Sequence, residues 1–234
     1  MKNSLPILAT VAILAQFYTT KSFAASVQFS DTSNPNGPWR YGFEPTALGS
    51  GFILFDTGAP YIANAIDAWQ SSVPGALPNI THNRTGSTYN FSSQGIVWEP
   101  DEISLHPGEQ GQFAVLRFVS PAGGAYDVAA SFFGIDQQGA STDVHVLVNG
   151  VSVFAGAVSG YRTPTSFSTT LSLAQNDTLD FAVGYGANLN YFHDSTGLFT
   201  TVTVAPEPAT SLLCAVGSAA LMRRRRQGSN TKTD

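Results

Sequence analysis

The densest run of groups able to do acid–base chemistry is Trp98-Glu99-Pro100-Asp101-Glu102. Three carboxylates in one short loop raise the question of glycoside hydrolysis, which needs two carboxyl groups facing each other across a cleft. Loop neighbours meet that need only if a further group, such as Asp194, faces Glu99 or Asp101 from another element. A solvated acidic loop is the plainer reading. The histidines, His82, His106, His145 and His193, form no His-Glu-x-x-His or His-x-His, and no Gly-x-Ser-x-Gly occurs. Metalloprotease and serine-hydrolase chemistry lack their usual anchors, so the chain is read as non-catalytic.

Metal ligation is the next chemistry to weigh. Asp143 and His145 fall on one face of a strand, because side chains two apart in a strand point the same way. Asp136 and Asp194 are further candidate ligands, with His193 beside the latter. Carboxylates with backbone carbonyls suit Ca2+, so one structural Ca2+ is the candidate metal, and no cofactor is required. The plainer reading of Asp143 and His145 is a hydrogen-bonded polar pair. Arg117 sits in an apolar strand and needs an anionic partner there. Asp143 is the expected one.

Carbohydrate recognition would use aromatic faces, with amides and carboxylates nearby to fix hydroxyls. The candidate platform is Trp39 and Tyr41 beside an Asn-Pro-Asn-Gly loop, Trp98 in the acidic loop, and Tyr185, Asn188 and Tyr191 in a Gly/Asn-rich stretch. Each aromatic alone reads more plainly as core.

Strands must position these groups. Phe113 to Val119 alternates around Arg117, Ser120-Pro121-Ala122-Gly123-Gly124 is a turn by composition, and Ala125 to Phe133 is read as the returning strand of a hairpin. Asp143 to Val148 and Val151 to Phe154 flank Asn149-Gly150, whose residues tolerate positive φ in a two-residue hairpin turn. Ser166 to Leu173, Thr178 to Val183 and Leu198 to Val204 complete the series, and Ile62 to Gln70 is the one helical candidate. Short strands at regular spacing predict an all-β, two-sheet antiparallel sandwich, jelly-roll-like, over residues 25–204.

Between residues 25 and 205 the basic residues are Arg40, Arg84, Arg117 and Arg162, with no lysine, against fourteen Asp and Glu. Nucleic acid is excluded as a partner by that balance, since phosphate binding needs a basic surface. The sole cysteine, Cys214, lies outside this region, so the domain has no disulfide.

The two ends carry addresses. Lys2, the apolar run Leu5 to Phe17 and Ser22-Phe23-Ala24 have the form of a signal peptide over residues 1–24, cut by signal peptidase after Ala24. At the other end, Pro206-Glu207-Pro208 precedes an apolar run, Ala209 to Met222, and then Arg223, Arg224, Arg225 and Arg226, with a polar tail over 227–234. The apolar run is a short helix by expectation, about 21 Å at 1.5 Å per residue, against a bilayer core of roughly 30 Å. Basic residues stay on the cytoplasmic side.

Residues 205–226 resemble the PEP-CTERM signal of bacterial exosortase substrates. That resemblance implies an exosortase-like transpeptidase as partner, a transient inner-membrane anchor through the C-terminal helix, and delivery to the cell envelope or extracellular matrix. A second resemblance rests on "SNPNGPWRYGF", "LHPGEQGQFAVLRFVSPAGGAYDVAASFFGID" and "TDVHVLVNG". These are phrased like exported planctomycete-type β-sandwich domains and look like galactose-binding or carbohydrate-binding-module jelly rolls. It implies binding of envelope or extracellular polysaccharide. A purely structural matrix role and a carbohydrate-active enzyme are the alternatives.

Overall fold

A computed structural model describes residues 20–206, apart from 46, 50, 63 and 73–76. Residues 1–19 of the expected signal peptide, and Glu207, Pro208 and Arg223 to Arg226 of the expected sorting segment, lie outside the described residues. Among the described residues there is no helix, and so none long and apolar enough to cross a membrane.

Sixteen strands follow one another. They are β1 (Ser22–Ala24), β2 (Trp39–Glu44), β3 (Ile53–Leu54), β4 (Thr57–Ile62), β5 (Ile66–Gln70), β6 (Asn79–Asn83), β7 (Tyr89–Phe91) and β8 (Ile96–Trp98). The second half holds β9 (Ile103–His106), β10 (Phe113–Val119), β11 (Gly124–Gly134), β12 (Ala140–Val148), β13 (Val151–Gly160), β14 (Thr165–Leu173), β15 (Thr178–Gly184) and β16 (Thr196–Val204). One sheet runs β14-β11-β16-β9-β6-β5-β4, with β1 also on β16; the other runs β13-β12-β15-β10-β2-β3. All strand pairs are antiparallel, and β7 and β8 form a separate hairpin. The chain is an all-β antiparallel sandwich.

Alternation explains the core. On β10, Ala114, Leu116 and Phe118 point inward, where they meet Phe132 of β11, Val144 and Val146 of β12, and Ile103 and Leu105 of β9, all fully or almost fully buried. The other face of β10 carries Val115 and Arg117, with Leu48 and Phe52 packed near Val115 and Phe52 stacked on the guanidinium at 4.0 Å. At Asn149-Gly150, with φ of 51° and 78°, β12 turns into β13 as the sequence predicts.

Three sequence expectations are corrected. Ile62 to Gln70 is no helix: β5 is hydrogen-bonded to β4 on one side and β6 on the other, and the ladders outweigh a short helical pattern. β10 and β11 are no hairpin, since they belong to different sheets and the 120–123 turn carries the chain across the sandwich. Buried Ser120 and the Tyr126 hydroxyl, which donates to Ala122 O at 2.7 Å, hold that crossing. Finally, Arg117 pairs with Asp180, not Asp143. The two lie directly opposite in the β10–β15 register, whereas Asp143 faces Gly184.

β1 lies within the expected signal peptide, yet Phe23 is buried against Phe118 with ring centroids 5.3 Å apart. Cutting after Ala24 would remove this strand from β16.

Candidate functional site

A cleft of about 400 Å3 opens on the outer face of the larger sheet. That is the size class of small-ligand sites. Its floor follows from strand alternation. Ile80, Ile103 and Leu105 enter the core, so Asn79 and Thr81 of β6 and Ser104 and His106 of β9 turn outward. The β7–β8 hairpin, with Phe91, Gln94, Ile96 and Trp98, makes one wall. The end of the 185–193 loop, with Tyr191, Phe192 and His193, lines it from another, and Tyr61 of β4 lines it too.

Each wall is fixed to the sandwich. Trp98 Nε1 donates to Thr81 Oγ1 at 3.1 Å and Ser104 Oγ at 3.0 Å, and these two hydroxyls bond each other at 2.6 Å. Behind the hairpin, Arg162 holds buried Glu102 through both guanidinium nitrogens and donates to Val97 O at 2.6 Å. Burial pushes the Glu102 carboxyl up, partly offset by Arg162. The 185–193 loop is tied down by polar groups of β12: Gly186 N donates to Asp143 Oδ1 at 2.8 Å, and Asn188 Nδ2 to Ser141 Oγ at 2.7 Å. At its far end His193 Nδ1 meets Asp136 Oδ2 at 3.0 Å.

Electrostatics in the cleft are set by burial. The His106 imidazole is lowered, first by burial and secondarily by His193, against the Pro107 carbonyl and Asp136. The net effect disfavours its charged form. Burial raises the Tyr61 phenol despite a hydrogen bond with Asn79. Tyr191 and Phe192, both in the lining, stack on each other at 4.4 Å between centroids, and Phe192 is exposed.

Of the expected platform, the structure brings Trp98 and Tyr191 to this cleft. Trp98 is 2% exposed, so it contributes as base of the wall more than as an open stacking face. Trp39 and Tyr41 are corrected: both are 0% exposed in the core and offer no face to a ligand. Trp39 packs on Phe118 and donates to Gln28 Oε1 at 2.9 Å; Tyr41 stacks on Trp69 at an interplanar angle of 5°. Their strand, β2, is interior to its sheet, so inward rings are core rings. Tyr185 packs over Gly111 and Asn188 serves Ser141, and neither lines the cleft.

The expected metal residues separate into pairs. Asp143 meets His145 Nε2 at 2.9 Å, as the plain polar-pair reading has it, and Asp136 meets His193. Asp194 is fully buried, accepts from Ser141 N at 3.0 Å, and keeps Oδ2 without a hydrogen-bond partner. Burial lifts its carboxyl to about 6. Among the described residues no group of three or more His, Cys, Asp or Glu gathers as a metal site. The one uncommitted side-chain oxygen at Asp194 falls well short of the six to eight that Ca2+ takes. Glu99 accepts from Thr88 and does not face Asp194 across the cleft, whose carboxylates are Glu109 and Asp136.

Sequence reasoning passed over Tyr61, Asn79, Thr81, Ser104, His106 and Glu109. The signal was there in part: polar residues at alternate positions of Asn79-Ile80-Thr81 and Ser104-Leu105-His106 mark an outward polar face.

No family model matches the chain, and no curated protein matches it. Among solved structures it is similar to the CBM51 from Clostridium perfringens GH95 in complex with methyl-galactose, at 14% identity, 79% of this chain, 100% of that chain and a TM-score of 0.37. A family 35 carbohydrate binding module from Clostridium thermocellum is similar at 12% identity over 64% of this chain and 99% of that one, with a TM-score of 0.30. The CBM35 from Cellvibrio japonicus Abf62 is similar at 11% identity, 52% and 84% coverage, and a TM-score of 0.32. Overlaps this loose carry no argument about what this chain binds.

Proposed function

We propose that this chain is an exported, non-catalytic glycan-binding protein whose ligand lies in the cleft over β6 and β9. The observation that carries the reading is the pairing of ring faces at Tyr191 and Phe192 with Asn79, Gln94, His106 and Glu109 in one cleft. A sugar offers a C–H face to the rings and hydroxyls to the amides, imidazole and carboxylate, so one site serves both halves of its chemistry. The cleft is built on strands and on a hairpin bolted to them, which suits binding more than a moving lid.

Export and sorting are part of the proposal and rest on the chain ends. The Lys2 and Leu5 to Phe17 segment addresses the chain to signal peptidase; the Pro206-Glu207-Pro208 and Arg223 to Arg226 segment addresses it to an exosortase-like enzyme. Envelope or extracellular polysaccharide is then the partner within reach.

The test is affinity electrophoresis of the full chain through gels containing glucomannan, galactan or β-1,3-glucan, with and without EDTA. At least one polymer retards the chain, and Tyr191→Ala abolishes the retardation while leaving its thermal unfolding unchanged. Retardation lost with EDTA would bring back a bound Ca2+. No retardation in any gel, with the fold intact, would leave a structural matrix role, and release of reducing ends would make the cleft catalytic. Sorting is tested apart: replacing Arg223 to Arg226 by Gln leaves export intact and lowers the fraction held at the inner membrane.

A further inference from the structure

We infer that the cleft selects glycans that carry no acid group, and that Glu109 on its rim sets this selectivity. The inference rests on the glycan-binding reading and goes on to name the class of glycan. Among the described residues lining the cleft, the carboxylates are Glu109 and Asp136, and no Lys or Arg contributes. The domain's arginines are all committed elsewhere. Arg40 donates to Gly37 O, Arg84 to Asn64 O, Arg117 to Asp180 and Arg162 to Glu102. Of the two histidines in the cleft, His193 is paired with Asp136 at 3.0 Å, and burial disfavours the charged form of His106.

The two carboxylates differ in reach. Asp136 is 2% exposed, accepts from Gln138 N at 2.8 Å and faces His193 Nδ1, so it is part of the wall. Glu109 is exposed, on a turn closed by its own hydrogen bonds. Gly108 N donates to Gln112 O at 2.9 Å, Gly111 N to Gly108 O at 3.1 Å, and Gln110 N to Gln112 Oε1 at 2.9 Å. Gly111 has a φ of +83°, and a Cβ there would stand 2.6 Å from the Tyr185 ring, so the turn nests against the 185–193 loop. The backbone that carries Glu109 is thereby fixed beside the cleft that Glu109 lines.

A ligand carboxylate about 5 Å from Glu109, at an effective dielectric near 50, loses roughly tenfold in affinity. A hydroxyl at the same place donates a hydrogen bond to it, and an ammonium forms an ion pair. Neutral and amine-bearing glycans enter; uronates and sulfates are turned away.

The experiment compares each neutral polymer that retards the full chain with the same polymer oxidised at C6 to the uronate. Oxidation weakens retardation of the unaltered chain about tenfold. Glu109→Gln recovers at least threefold of that loss. Asp127→Asn makes the same change in net charge on β11, about 23 Å along the strand at some 3.3 Å per residue from Gly134, the end that leads to Asp136, and recovers none. If the oxidised polymer binds as well as the neutral one, the glycan reading stands and the selectivity falls. Equal recovery by Asp127→Asn would make the effect one of overall charge and overturn the inference. If no polymer binds, both readings fall together.

Discussion

The Trp98 indole is fastened to Ser104, its Nε1 donating to Ser104 Oγ at 3.0 Å and to Thr81 Oγ1 at 3.1 Å. All three residues are nearly inaccessible to water, so these bonds join the β7–β8 hairpin to the outer face of β6 and β9 in a place where water cannot replace them. The wall of the cleft depends on that junction.

Trp98→Phe keeps most of the ring and removes the donor. Losing a buried hydrogen bond of this kind costs about 1–2 kcal/mol, softened here because the Thr81 and Ser104 hydroxyls still bond each other. Urea unfolding should show that loss, and affinity electrophoresis should show glycan retardation weakened several-fold as the hairpin loosens. Unchanged retardation would mean that the hairpin plays no part in holding the ligand.

Trp39 and Tyr191 should separate cleanly. Truncating the fully buried Trp39 to Ala destabilises the domain by about 3–5 kcal/mol, read as a lower urea midpoint. Tyr191→Ala, at a partly exposed loop position, changes stability by less than about 0.5 kcal/mol and removes binding instead. The reverse pattern would return Trp39 to the ligand and sink the cleft.

Arg162 and Glu102 form an ion pair whose carboxylate is 0% exposed. Arg162→Ala strands that carboxylate and costs about 3–5 kcal/mol, whereas the double change Arg162→Met with Glu102→Leu recovers much of it. A double-mutant cycle in urea measures the difference. Additive losses would show the pair to be uncoupled.

Asp194 gives the domain a pH dependence of definite sign. Burial lifts its carboxyl from 3.8 to about 6, so the folded chain holds a proton that the unfolded chain releases between about pH 4 and 6. The stability tied to this group is fully present below about pH 4 and is lost as pH rises through about 6. At 1.4 kcal/mol per pH unit the swing is up to about 3 kcal/mol. Asp194→Asn should remove this contribution, so the gap between variant and parent in unfolding free energy shifts toward the variant from pH 4 to pH 7.5. A gap that does not move with pH would place the Asp194 carboxyl in its ordinary range.

What could be read from the residues alone was local. Asn149-Gly150 specifies its own hairpin through two backbone angles, and Val144 and Val146 declare an inward face by spacing. Long-range pairing was not legible in that way. Arg117 and Asp180 meet because two strands sixty-three residues apart share a register, and nothing near Arg117 distinguishes Asp180 from Asp143. Trp39 shows the same limit. Beside an Asn-Pro-Asn-Gly loop it is a candidate platform only in company with the other aromatics, and the placement of β2 inside its sheet buries it. The cleft gathers Asn79, Ser104 and Tyr191 from three segments, so spacing could point to an outward polar face on each strand but not to their meeting.

The position of β16 has a mechanical side. It is the last strand among the described residues, yet it lies between β11 and β9, with all nine of its residues registered on β11. A pull exerted from beyond residue 206 therefore runs along a strand paired to β11 over its whole length and to β9 over its first three residues. The load falls in shear on many ladder bonds at once, instead of peeling them singly as it would from an edge. Under such a load that is the geometry of a rivet and not of a zip.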